Sequence, residues 1–140
     1  MTSYVELQYD RNCYDTSEAD STDPWDRPNT CSDWTVHGAK LADDRGYKNV
    51  PYPGDLKSGD EVYVLYAVYS TGDSFGHDEN GCIEFISVHK DANLAFKNKN
   101  NLQNGKHVVE HDDGTIENIY APWGGYFESL SYLQVDNFTL

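Results

Sequence analysis

Residues 62–69 (VYVLYAVY) are apolar on both alternating sides, with Val62, Val64, Tyr66 and Val68 on one and Tyr63, Leu65, Ala67 and Tyr69 on the other. Successive side chains of a strand point to opposite faces, so this pattern predicts a strand covered on both faces in the middle of a sheet. Residues 83–88 have the same character and predict its antiparallel neighbour. The polar stretch between them (STGDSFGHDENG) suits a hairpin, but not a tight one. Residues 4–9 alternate Val5, Leu7 and Tyr9 with Glu6 and Gln8, which predicts a half-exposed strand. Residues 34–42 are a weaker strand candidate, and residues 131–140 form a last strand.

One helix is predicted, over residues 91–104. Asp91 can cap its start, Ala92, Ala95 and Phe96 supply an apolar stripe, and Gly105 can end it. Asn98, Asn100, Asn101 and Asn104 weaken its second half. Beyond it, residues 106–110 and 115–120 flank Asp112-Asp113-Gly114, and Asp-Gly between strand-like runs predicts a hairpin. Residues 43–59, rich in Gly, Pro, Asp and Lys, read as a connection with turns. Residues 10–33 lose almost all aliphatics and gather Asp, Ser, Thr, Asn and Pro, which predicts a long acidic loop. Trp25, between Pro24 and Pro28, is expected to pack down and pin it. The pattern as a whole predicts a single α+β domain over residues 1–140. Its frame is a mainly antiparallel, twisted sheet of five to seven strands with one helix packed on one face.

Composition sharpens this picture in two ways. Hydrophobic residues are only 38% of the chain, but 11 Tyr, 5 Phe and 3 Trp carry large apolar areas and argue for a folded protein. Net charge is −14, from 24 acids against 10 bases, which disfavours nucleic acid and anionic membrane surfaces as partners. No run is long enough to span a bilayer, and no signal-like segment opens the chain, so the expected location is the cytoplasm. Cys13, Cys31 and Cys82 form no CxxC pair, which argues against a structural zinc site. Cys82 reads as a small buried hydrophobe. Cys13 and Cys31 are spaced so that a bridge is open in an oxidising compartment, although reduced thiols are the simpler reading.

Four groups of residues have the types needed for chemistry. Asp73, Ser74 and His77 could supply orienter, nucleophile and base, with Phe75 between them. Neighbours on one loop rarely converge as a triad, however, and no Gly-x-Ser-x-Gly elbow is present. A glycine-shaped turn is the better reading. His77 with His111 and Asp112 could hold a divalent metal if the two loops meet. The acids between residues 15 and 26 offer calcium-like ligands without an EF-hand's glycine and terminal Glu. Trp123 and Tyr126, beside Gly124 and Gly125, either close the core or form an aromatic slot. No phosphate-binding glycine loop is present, and Lys90, Lys97, Lys99 and Lys106 read as a solvated face.

The segments YAVYSTGDSFG (residues 66–76) and PWGGYFE (residues 122–128) resemble small uncharacterised proteins of tailed bacteriophages, over about residues 62–140. That family has no assigned activity, so the resemblance implies context: the cytoplasm of an infected cell. In that setting the expected function is a non-enzymatic acidic protein that binds and inhibits a host protein through a basic surface. The contacts would come from Asp20, Asp23, Trp25 and Asp26 in the acidic loop and from the rim around Asp73 and His77. Two alternatives remain. One is a small-ligand or nucleotide-signal sponge, or weak hydrolase, using residues 72–77 and 123–127. The other is a minor virion component. No cofactor is expected, with a divalent metal left open.

Overall fold

The computed structural model describes residues 2–15, 29–43, 49–73, 76–121, 123 and 130–140; residues 11–15, 29–33, 71–73 and 76–81 are described through their backbone alone. Among these residues the fold is mainly antiparallel β with one helix, and eight strands fall into three small sheets. The first sheet has the order β2-β1-β3, with β1 at Thr2–Asp15, β2 at Asn29–Ala42 and β3 at Val50–Pro53. The second has the order β5-β4-β8, with β4 at Glu61–Asp73, β5 at Gly76–His89 and β8 at Leu130–Thr139. A hairpin of β6 (Val108–Glu110) and β7 (Ile116–Asn118) is the third.

The two-faced pattern of β4 places it as predicted, in the centre of its sheet. Val62, Val64, Tyr66 and Val68 meet Val5, Leu7, Val50 and Tyr52 of the first sheet in one core. Leu65 and Ala67 point the other way, into a second core with Leu102, Ala121, Trp123 and Leu133. The helix α1 (Ala92–Gln103) contributes Leu102 to this second core. Each fully buried Val or Leu contributes about 1.5–3 kcal/mol, so this central strand is the main source of cohesion.

The side chain of Asp91 accepts from the Asn93 amide at 3.0 Å and caps α1, and Gly105 follows the helix at φ +82. The apolar stripe differs from expectation: Ala95 is buried, but Phe96 is 47% exposed, and Asn98 and Leu102 face inward. Positions 95, 98 and 102 lie on one helical face, and Asn98 is tolerated there because the facing surface is polar, as shown below. The Asp-Gly hairpin forms as predicted: Gly114 has φ +87, and its amide donates to the His111 carbonyl at 2.9 Å.

Three further expectations are corrected. The stretch at residues 43–59 is not all connection, because β3 lies within it and pairs with β1 from Thr2↔Pro53 to Val50↔Val5. Pro51 and Pro53 belong there because β3 is the last strand of its sheet, where a missing N–H costs little. The acidic loop is shorter than residues 10–33, since the β1–β2 ladder runs out to Asp15↔Asn29. The β4–β5 hairpin is tight after all. Asp73 pairs with Gly76, and an irregularity between Tyr69 and Thr71 absorbs the additional residues of β5.

Candidate functional site

A second irregularity in β5 sets up a buried polar network. Leu65 pairs with Ser87 and Tyr66 with Phe85, which leaves Ile86 as an extra residue. Strict alternation would place Ser87 and His89 on the face of Ile83 and Phe85. The bulge instead leaves Val88 in the first core and turns Ser87 and His89 toward α1. Both are 0% exposed.

Their partners come from the helix and the hairpin. Ser87 Oγ lies 2.7 Å from His89 Nε2, and His89 Nδ1 lies 2.9 Å from Asp112 Oδ1. The other Asp112 oxygen accepts from the Lys90 amide at 2.7 Å and from the Tyr52 hydroxyl at 2.9 Å. Asn98 Nδ2 approaches His89 Nε2 at 3.3 Å and donates to the Glu110 carbonyl at 2.9 Å, while Asn98 Oδ1 accepts from the Glu110 amide at 3.0 Å. Two potential donors at Nε2 imply that Nε2 accepts and that Nδ1 carries the proton donated to Asp112. This order of Ser, His and Asp is that of a nucleophilic relay. Ser87 has no exposed surface through which a substrate could reach it, so the network acts here as a clasp joining α1 and β6 to β5.

The charge states follow from the surroundings. Burial drives the His89 imidazole below its ordinary 6.5, opposed in part by Asp112. Burial pushes the Asp112 carboxyl up, but the Lys90 amide, His89 and the Tyr52 hydroxyl outweigh it and hold the group below 3.8. Burial, and then the Asp112 carboxylate, raise the Tyr52 phenol above 10.0.

These directions fix the sign of the pH dependence. His89 and Asp112 both bind protons more readily in the unfolded chain, so their stabilisation is lost as pH falls, below about 6.5 for His89 and below about 3.8 for Asp112. Tyr52 holds its proton more tightly when folded, so stability is lost as pH rises past 10.0. Urea midpoints measured across pH should therefore form a plateau near 7–9 and fall on both sides. A midpoint that rises between pH 7 and pH 5 would contradict the neutral, buried His89.

The hairpin that supplies Asp112 also walls an open groove. His111 stacks over His89, with ring centroids 6.4 Å apart, and its Nε2 lies 2.9 Å from Glu117 Oε1. His111 Nδ1 is buried with no hydrogen-bond partner among the described residues. The groove, about 400 Å³, lies along the edge strand β5 at Glu84, Phe85 and Ile86. Pro51, His111, Glu117, Tyr120 and Trp123 also line it. A smaller hollow of about 170 Å³ continues from it between β3 and β5, sharing Pro51 and residues 84–86. Tyr120 is 85% exposed, and Ile116 on the same hairpin is 68% exposed.

The sequence-predicted site residues are only partly brought together. Trp123 is 9% exposed and closes the second core, with Tyr69 and His107 as ring neighbours, while also lining the groove beside His111. His77 pairs with Gly72 near the hairpin tip, whereas His89 pairs with Tyr63 at the opposite end of β5. At about 3.3 Å per residue that separation is on the order of 35 Å, so His77 does not join His111 and Asp112. Asp112 is instead committed to His89, Tyr52 and the Lys90 amide. Among the described residues no group of three His, Cys, Asp or Glu is arranged to hold a metal ion. Asp73 is described through its backbone, opposite Gly76. Asp20, Asp23, Trp25, Asp26, Ser74, Phe75 and Tyr126 lie outside the described residues.

Sequence reasoning missed Ser87, His89 and Asn98 in the network and Glu84, Phe85, Glu117 and Tyr120 in the groove. The network had a signal. Ser87 and His89 stand two apart in an otherwise apolar strand, and Asn98 sits at helical spacing between Ala95 and Leu102. The groove had none, because its walls come from strands of different sheets. Among the described residues no helix is long and apolar enough to cross a membrane. No family model matches the chain, and neither a curated protein nor a solved structure matches it.

Proposed function

We propose that the protein is a non-enzymatic acidic binder that inhibits a host protein by docking on its basic surface, with a Lys or Arg side chain seated in the β5 groove. The groove's lining carries this reading: it includes the acidic residues Glu84 and Glu117 together with the aromatic residues Tyr120, Trp123 and Phe85. An aromatic face with nearby carboxylates favours a cation with N–H donors. The net charge of −14 would speed encounter with a basic partner and make binding sensitive to salt. The same lining opposes the alternative of a nucleotide-signal sponge, since two carboxylates repel a phosphate. A groove of this size still suits a small cationic molecule.

Titration calorimetry with a short Arg-containing peptide tests the reading. Glu84→Gln with Glu117→Gln keeps hydrogen-bond acceptors but removes charge from the groove. A control pair, Asp43→Asn with Glu61→Gln, removes the same charge from exposed positions elsewhere. The groove pair should weaken binding at least about tenfold, roughly 1.4 kcal/mol, against less than about threefold for the control. Raising salt from about 50 to about 500 mM should weaken the unaltered protein. Equal losses in the two pairs would reduce the attraction to overall charge and sink the groove as the docking site. Capture from host lysate, compared between the same two variants, would then identify the partner.

A further inference from the structure

Cys13 on β1 and Cys31 on β2 are partners in the strand ladder, directly beyond an irregularity between Asn12 and Cys13. Partners in an antiparallel ladder have Cα atoms about 4.5 or 5.5 Å apart, depending on whether the pair exchanges hydrogen bonds. Both separations fall within the roughly 4.4–6.8 Å that a disulfide spans. The third cysteine, Cys82, is a free thiol at the position opposite Tyr69 in the other sheet. The topology thus brings two of the three cysteines together and leaves one apart.

We propose that Cys13 and Cys31 are a modification site at which a reversible disulfide closes residues 14–30 into a covalent loop. The oxidant is a small-molecule disulfide. The thiolate of one cysteine attacks a sulfur of that reagent, forming a mixed disulfide and expelling one small thiolate. The partner cysteine's thiolate then attacks the protein-bound sulfur and expels the second. The two cysteines lose two electrons and two protons, and the reagent gains them as two small thiols. The loop so closed contains Asp15, Glu18, Asp20, Asp23 and Asp26. The net charge of −14 repels an anionic reagent, so a neutral one should react faster. The site does not depend on the binding function proposed above.

The test treats the folded, reduced protein with neutral 2-hydroxyethyl disulfide, quenches with iodoacetamide and maps the cysteines by mass spectrometry. Two of the three thiols should be lost to alkylation, with Cys13 linked to Cys31 and Cys82 still alkylated. Chain proximity alone would also favour this pairing in an unfolded chain. The closure step should therefore be at least about tenfold faster in the folded protein than in concentrated urea, where the ladder is absent. A linkage that includes Cys82, stable mixed disulfides at Cys13 and Cys31, or equal closure rates in the two conditions would each overturn the proposal.

Discussion

Leu65→Ala should lower the unfolding free energy by about 3–4 kcal/mol, among the large effects expected from a single truncation at the described residues. Leu65 is 0% exposed and sits mid-strand in β4, facing the core built by Ala67, Leu102, Ala121, Trp123 and Leu133. Its neighbours cannot readily collapse into the space. β4 is tied to β5 through Leu65↔Ser87 and to β8 through Leu65↔Val135, so backbone hydrogen bonds hold the walls apart. The loss therefore includes a cavity contribution as well as the lost transfer of the side chain from water. Urea denaturation measures it directly, as a fall in the midpoint with an unchanged slope. A loss below about 1.5 kcal/mol would mean that α1 closes onto the site, and that the second core is less rigid than its register implies.

Asp112→Ala should cost about 3 kcal/mol, nearly as much, for a different reason. The carboxylate serves three donors at once: the His89 ring, the Tyr52 hydroxyl and the Lys90 amide. Removing it leaves the fully buried His89 N–H without an acceptor, and an orphaned buried donor costs more than its hydrogen bond contributes. It also unlatches the β6–β7 hairpin from β3 and β5. Asp112→Asn keeps one carbonyl oxygen and should lose roughly 1–2 kcal/mol. The loss of stability below about pH 6.5 should deepen in both variants, because the Asp112 carboxylate favours the His89 imidazolium and its removal leaves the effect of burial unopposed. A double-mutant cycle with Tyr52→Phe would show coupling on the order of 1 kcal/mol. If Asp112→Ala cost less than about 1 kcal/mol, the clasp would be incidental to stability.

Much of the framework was legible because it is decided over short ranges. The apolar alternation of residues 62–69 named both faces of β4 correctly, and Asp91, Gly105 and Asp113-Gly114 marked a cap and two turns. The inward face of α1 was misread for a physical reason. Phe96 is more apolar than Asn98, but burial favours whichever side chain matches the surface opposite. That surface contains His89 and the Glu110 backbone, which only an amide can satisfy on both sides. β3 was missed because Val50-Pro51-Tyr52-Pro53 has poor intrinsic strand character, and only the edge of β1 makes it a strand.

The sequence by itself determined the class of fold, the central strand, the helix, the Asp-Gly hairpin and the strongly acidic surface. Each rests on periodicity, local turn chemistry or a sum of charges, none of which needs a distant neighbour. Tertiary structure alone decided that the strands divide among three sheets, and that one extra residue at Ile86 turns Ser87 and His89 beneath the helix. It also decided that Pro51, Glu84, His111, Glu117 and Tyr120 share one groove, and that Cys13 faces Cys31 across a ladder. Those outcomes depend on the register between segments far apart in the chain. A shift of one residue reverses which side chains share a face, and register is set by the whole of the packed core rather than by any local stretch.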